Sequence, residues 1–378
     1  MKLLRISTVP LTLYTFCKGL LKELSQEGYE VVAVSSPGKS LEEFAGHEGV
    51  RSIAVPMERH ISPIKDLKSL WQMWRVMRKE KPNMVHSMTP KAGMISMVAA
   101  WLARVPIRIH TFTGLVFPTS TGLKRKVLMF TDWLTCACAT HIIPEGEGVK
   151  ADLLNNHITK KNLRVLGHGN VRGIDLNHYN PDLFHDERIE STNFTFIFVG
   201  RLVGDKGINE LVEAFVRLNN EYSDTRLVLV GPEEQNLDPI KQETKVEIDR
   251  NLAINVVGSQ KDVRPFYAAA DALVFPSYRE GFPNVVIEAG AMGLPSIVTD
   301  INGSREIIIE GENGIIIPPK DTEALYSAMK RFVENSDDVK RMAQKARSLI
   351  ASRYEQSYVR QCLKEFYKQC INSSLKEY

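Results

Sequence analysis

Short runs rich in Val and Ile recur along the chain, each followed by a stretch whose apolar residues return every three or four positions. "KLLRIST", "EVVAVSS", "RSIAVP", "NMVHSM", "IRIHTF" and "HIIPE" predict buried β-strands. Helical periodicity fills the gaps over 16–27, 64–80, 92–103 and 122–139. The second half restarts the pattern with "FTFIFVG", "RLVLVG", "INVVG", "ALVFPS", "PSIVTD" and "GIIIP". Its helices are expected over 207–221, 236–250, 262–269, 284–292, 322–334 and 337–353.

Such alternation builds parallel sheets covered by helices on both faces, an α/β architecture. At 378 residues the chain exceeds the usual limit of one core, so two Rossmann-like lobes are expected, 1–175 and 176–354. The polar, Gly- and Asn-rich "GNVRGIDLNHYNPDLF" marks the hinge, and the helical tail 355–378 is expected to pack back and complete the first lobe. Ligands of open parallel sheets bind beyond the carboxyl ends of the strands, and in a two-lobed protein the cleft between lobes is the natural place. The residues just after each strand are therefore the candidates for chemistry.

Composition adds three points. Five cysteines, an odd number with no CxxC, argue for a reducing compartment and against a disulfide frame or zinc site. The opening "MKLLRISTVPLTL" is interrupted by Arg5 and reads as a strand rather than a leader, and the apolar "MISMVAAWLA" is about half of the ~20 residues a membrane span needs. The net charge of +3 hides an asymmetry: residues 1–175 carry 24 Lys and Arg against 14 Asp and Glu, whereas the remainder is acidic. A basic first half suggests a polyanion or an anionic membrane surface as neighbour.

After "FTFIFVG" comes "RLVGDKGI", which places Gly200, Arg201 and Lys206 in a strand-to-helix loop. Arg and Lys there suit a diphosphate, and Gly204 and Gly207 allow close approach; the bland reading is a solvated turn with two surface cations. Next, "YREGFPNVVIEAGAMG" holds Glu280 and Glu288 on either side of a helix start. The N–H groups near Asn284, Val285 and Val286 form a ready anion site. Glu288 among apolar neighbours suits a ribose diol and Glu280 the hydroxyls of a sugar, unless both acids merely complement the helix dipole.

These segments, with "NGSREIIIEGENGIII" and "VVGSQKDVRPFYAAADALVFPS", resemble the C-terminal domain of family 4 glycosyltransferases of the GT-B fold, over most of residues 195–335. The resemblance implies retaining transfer from a nucleotide-sugar, expected to be a UDP-sugar, with no metal or other cofactor. It implies that Gly200, Arg201, Lys206 and residues 284–286 hold the donor diphosphate, Glu288 the ribose and Glu280 the donor sugar. In the first half, "IRIHTFTGLVF" puts His110 just past a strand end, facing the cleft, where the family commonly has a functional histidine; a satisfied structural histidine is the other reading. "VHSMTPKAG" resembles a segment of enzymes that extend undecaprenyl-diphosphate-linked saccharides, with Thr89 and Lys91 placed for an acceptor phosphate. Many relatives carry a Gly-Gly pair in the first loop; this chain has "STVPLTLYTFCKG", with Gly19 expected inside a helix.

"DLKSLWQMWRVMRKEKP" sets Trp71, Trp74 and Met77 beside Lys68, Arg75, Arg78, Lys79 and Lys81. It suits the inner face of a cell membrane, or a helix packing its apolar stripe inward. The expected function is therefore a cytoplasmic, peripheral transferase acting on a lipid-linked saccharide acceptor. The rivals are a nucleotide-sugar 2-epimerase and a catalytically silent partner subunit. No G-x-G-x-x-G follows the first strand, against a dehydrogenase, and no nucleic-acid module is present.

Overall fold

The computed structural model describes residues 1–58, 62–187, 193–234 and 238–376. The first sheet comprises β1 (Lys2–Ile6), β2 (Glu30–Ser35), β3 (Arg51–Ala54), β4 (Met84–Met88), β5 (Ile107–Phe112) and β6 (His141–Pro144). The second comprises β7 (Phe194–Val199), β8 (Thr225–Val230), β9 (Ile254–Gly258), β10 (Ala272–Phe275), β11 (Ser296–Thr299) and β12 (Gly314–Ile317). The spatial orders are β3-β2-β1-β4-β5-β6 and β12-β11-β10-β7-β8-β9. Their strand pairs are parallel. Each order reverses once, between β1 and β4 and between β10 and β7, and such a reversal opens a crevice at the carboxyl ends of the two strands.

The chain divides into two compact units, Met1–Gly173 with Ser357–Tyr378, and Ile174–Gln356. Central strands are buried on both faces, which is why they read as unbroken apolar runs. Helices cover them with one stripe: Ile208–Glu221 buries Ile208, Leu211, Val212, Phe215 and Leu218, each worth about 1.5–3 kcal/mol of transfer free energy. The tail helix Gln356–Lys376 contributes Leu363, Phe366, Tyr367 and Cys370 to the core beneath β1 and β2; residues 377 and 378 of the predicted tail lie outside the described residues.

Two predicted helices are corrected. The stretch 16–27 is two helices, Pro10–Cys17 and Leu20–Gln26, and Gly19 stands between them at φ 78 rather than inside either. Its N–H donates to the buried Glu48 (2.7 Å to Oε1), a contact that replaces the helical bond lost at the break. The helix expected from 236 begins at Gln242, because Asp238 at φ 70 and Pro239 hold the preceding chain out of helical geometry; residues 236 and 237 of that prediction lie outside the described residues. The helices Lys39–Glu48 and Glu147–Asn155 had no clear periodic signal. Among the described residues no helix is long and apolar enough to cross a membrane.

Candidate active site

In the second unit, the loops after β7, β10 and β11 meet where the strand order reverses. Gly200, the first residue after β7, donates to Val230 O (2.9 Å), and Arg201 follows with a guanidinium paired to Glu234 (2.8 Å). A 3₁₀ turn, Gly204–Lys206, then feeds the helix Ile208–Glu221 through Gly207. Only glycine fits there: φ is 72, and a Cβ would sit 2.2 Å from Pro276 O. That close approach ties the β7 loop to the one after β10, as does the bond from Tyr278 N–H to Asp205 O (2.9 Å).

Lys206 and Glu280 are therefore neighbours, and the structure pairs them directly: Lys206 Nζ donates to Glu280 Oε1, as does Ser277 Oγ (3.0 Å). The lysine also lies 5.7 Å from the centre of the Phe275 ring. The sequence reading gave Lys206 to a diphosphate and Glu280 to sugar hydroxyls; here the carboxylate is also the cation's own counter-ion. Tyr278 points towards Glu210, and burial together with that carboxylate raises its pKa well above the usual phenol range.

The helix Asn284–Ala291 starts from Pro283, and Glu288 is buried one turn in. Of the three residues expected at its anion site, Val286 has its N–H bonded to Pro283 O (3.2 Å) in this structure. Asn284 and Val285 remain as the first two helical residues. Gly303, after β11, abuts the turn before this helix and was missed in the sequence because "NGS" reads as any surface turn. A cavity of about 590 Å³ elsewhere in this unit lies at the amino ends of β7, β8 and β9, lined by Thr195, Arg226 and Ala253, away from all these residues.

In the first unit the reversal between β1 and β4 brings Thr8 and Thr89 together, their hydroxyls 2.7 Å apart. Thr89 has φ 72 and ψ 143, a conformation a β-branched residue adopts at a cost of order 1–3 kcal/mol. Thr8 holds it there and also accepts the N–H of Ala92 (3.2 Å) in the first turn of the helix Pro90–Leu102. Thr8 was not singled out from the sequence, having no charge or motif to mark it. Lys91, expected to be open to an acceptor phosphate, is bonded to Asp66 Oδ2 at 2.5 Å, and both side chains are largely buried.

His110 is corrected. It lies within β5, two residues before its end, and is 1 % exposed. Its ring packs against Gly93, where a Cβ would come 2.3 Å from Cε1, and edge-on to Phe112 at 4.5 Å. Nδ1 is 2.8 Å from Ser87 Oγ, and burial pushes the pKa down to about 3. In this structure the imidazole is neutral and enclosed, inside the strand rather than just past its end. Among the described residues no group of three or more His, Cys, Asp or Glu is placed to hold a metal ion.

Residues 180–349 match the family "Glycosyl transferases group 1" and residues 14–169 the "Glycosyl transferase 4-like domain". The capsular polysaccharide biosynthesis glycosyltransferase CapM of Staphylococcus aureus is 31% identical over 367 residues, spanning 95% of this chain and 94% of that one. The UDP-Gal:alpha-D-GlcNAc-diphosphoundecaprenol alpha-1,3-galactosyltransferase of Escherichia coli is 27% identical over 82% of each chain. Among solved structures, Anabaena HepE in complex with UDP and glucose superposes with a TM-score of 0.80 at 17% identity, covering 98% of this chain and all of that one. The two parallel sheets, the reversal-point loops and these relatives agree: the chain belongs to the family 4 glycosyltransferases of the GT-B fold.

Proposed function

We propose that this enzyme transfers a sugar, with retained configuration, from a UDP-sugar to a saccharide carried on a polyprenyl diphosphate. The observation that carries the donor half is the meeting of Arg201, Lys206, Glu280 and the helix 284–291 at the reversal between β7 and β10. Fixed cations and N–H groups aimed at a leaving diphosphate stabilise the charge that develops as the sugar departs. Lys206 and Arg201 take the diphosphate at the loop that Gly200 opens, with the N-terminal turn at Asn284 and Val285, and Glu288 takes the ribose. Glu280 engages Lys206 and Ser277 through Oε1, which leaves Oε2 for a donor-sugar hydroxyl. No metal is needed in this arrangement, since the cations stand in the chain itself. The E. coli relative, named for UDP-galactose and a diphosphoundecaprenol acceptor, supports both substrates. Thr89, in the strained turn after β4, and Lys91 stand at the acceptor side.

The same reading places the enzyme at the anionic face of a membrane. The basic first half supports it, each exposed cation near anionic lipid adding about 1 kcal/mol. Trp74 and Met77 of the helix Pro63–Glu80 pack inward while Trp71 stays exposed beneath Arg75 (4.7 Å).

Thermal shift and calorimetry with UDP, GDP, ADP and their sugars test the donor site. A ligand at 100 times its Kd adds about 2.7 kcal/mol, or roughly 5–10 °C for a unit of this size. UDP should give this shift and Glu288→Ala should lose it. Binding of no nucleotide would overturn the assignment.

A further inference from the structure

The first unit contains a groove of about 440 Å³ between the helices Pro63–Glu80, Pro90–Leu102 and Gly122–Cys138. Its walls are hydrocarbon: Leu67 and Leu70 from the first helix, Met94 and Val98 from the second, Leu128 and Leu134 from the third. The volume falls in the range of small-molecule sites.

Two features tell what would fill it. The helices on either side present apolar residues outward at helical spacing: Ile64 and Leu67 are 87% and 67% exposed, and Leu123 and Phe130 are 77% and 57% exposed. Phe130 also stacks on the exposed Trp133 (5.7 Å, 27°). Such stripes next to an apolar groove are not the surface of a water-facing lobe. The second feature is polarity along the groove. Its polar members include Lys91 and Asp66, beside the amino end of helix 90–102, whereas Val98 lies two turns further on, about 10 Å along the axis. Exposed Lys68, Lys124 and Lys126 stand on the flanking helices. An amphiphile with one hydrocarbon chain and an anionic head matches this sequence of environments.

We infer that the groove holds the first isoprene units of the acceptor's polyprenyl chain, with the diphosphate at the Lys91 end beside Thr89. The inference rests on the lipid-linked acceptor reading and adds a binding site for the lipid itself. The enzyme then recognises its acceptor by chain as well as by sugar.

Full-length protein is compared on acceptors with the same saccharide diphosphate and either a long polyprenyl or a short alkyl chain. In parallel, a polyprenyl diphosphate bearing a diazirine near its head is photocrosslinked and the adducts mapped. The wild type should show a KM at least about tenfold lower for the long chain, roughly the effect of two buried CH₂ groups. Adducts should fall in 94–98 and 127–134. Val98→Trp, which fills the groove, and Leu67→Asp, which puts a charge at its rim, should raise the long-chain KM to the short-chain value and lose the adducts. Unchanged kcat/KM on the short-chain acceptor, a reaction that needs both units, shows that each variant is folded. Equal KM for both chains, with transfer to both, overturns the groove and leaves the transferase reading standing. Labelling of the groove without transfer to either acceptor keeps the groove and overturns that reading. Displacement of the probe by phosphatidylglycerol vesicles as readily as by unlabelled polyprenyl diphosphate assigns the groove to bulk lipid and overturns the inference.

Discussion

Gly303 offers a test of the donor site that touches none of its charged groups. It stands after β11 at φ 73 and ψ −53, with its N–H donating to Glu306 Oε1 (3.2 Å). A Cβ built there would lie 2.6 Å from Gly281 O, 2.7 Å from Phe282 Cα and 2.7 Å from Pro283 Cδ. All three atoms belong to the turn that launches the helix 284–291, and two of them are backbone. Gly303→Ala must push that turn away by about 0.8 Å to restore ordinary van der Waals contact. Gly311 is the matched control, with φ 74 and open space around its would-be Cβ.

Both positive φ angles strain a non-glycine residue, by about 1–3 kcal/mol, and each kilocalorie lowers Tm by about 2–4 °C in a unit of this size. Only Gly303→Ala also displaces the donor cradle, and a misplacement approaching 1 Å can cost about 100-fold in rate, or ~2.7 kcal/mol. The assay is kcat/KM for sugar transfer with melting curves on both variants. Gly311→Ala should keep near-normal kcat/KM while Gly303→Ala loses about two orders of magnitude. If both remain folded and their kcat/KM values agree within about threefold, the segment 281–291 does not hold the donor.

Lys206→Ala should lower kcat about 10²–10³-fold with the fold intact, and a steady-state assay showing near-normal turnover would remove Lys206 from the donor site. Burial lowers the His110 pKa to about 3, so its contribution to stability is complete above pH ~6.5 and is lost as pH falls towards 3, by up to ~1.4 kcal/mol per pH unit; melts of His110→Asn should show a flatter pH dependence below pH ~6.5. Asp132 is the opposite case: burial raises its carboxyl to about 7, so its penalty is absent below the ordinary 3.8 and grows as pH rises to 7. Asp132→Asn should therefore raise Tm at pH ~8 and leave it unchanged near pH ~3.5. The protein should co-sediment with anionic liposomes at low salt and release at high salt, and failure to bind at low salt would remove the membrane from the reading.

The strands were legible because burial on both faces forces an unbroken apolar run, as in the "VVAV" of β2 and the "FIFV" of β7. The cations and carboxylates after β7 and β10 were legible too, since chemistry of this kind concentrates at strand ends. Their partners were not. Lys206 and Glu280 are 74 residues apart and Lys91 and Asp66 are 25 apart, and no local pattern encodes such pairings. His110 shows how little separates two readings: β5 runs two residues past it, and the missing side chain of Gly93 makes the space its ring fills. Gly19 failed for a related reason, since its left-handed φ depends on Glu48 accepting its N–H from 29 residues away.

The Lys206–Glu280 pair also bears on which ligands this site can take. With 14% and 19% of their side chains exposed the pair is partly buried, so stripping either charge of its partner costs a share of the about 3–5 kcal/mol typical of a fully buried pair. A ligand that claims Lys206 must therefore return more than Glu280 gives up. A monoanion offers one charge for one and gains little. A diphosphate brings additional charge, spans towards Arg201, and carries a sugar whose hydroxyls can satisfy the carboxylate it displaces. On this reading Glu280 is a counter-ion that a sugar diphosphate is equipped to replace and a monoanion is not, and Glu280→Gln should bind monoanions such as nitrate and formate more readily than the wild type in the same calorimetric titration. Unchanged monoanion affinity in that variant would show that the pair sets no threshold, and that selectivity for the diphosphate comes from Arg201 and the helix turn alone.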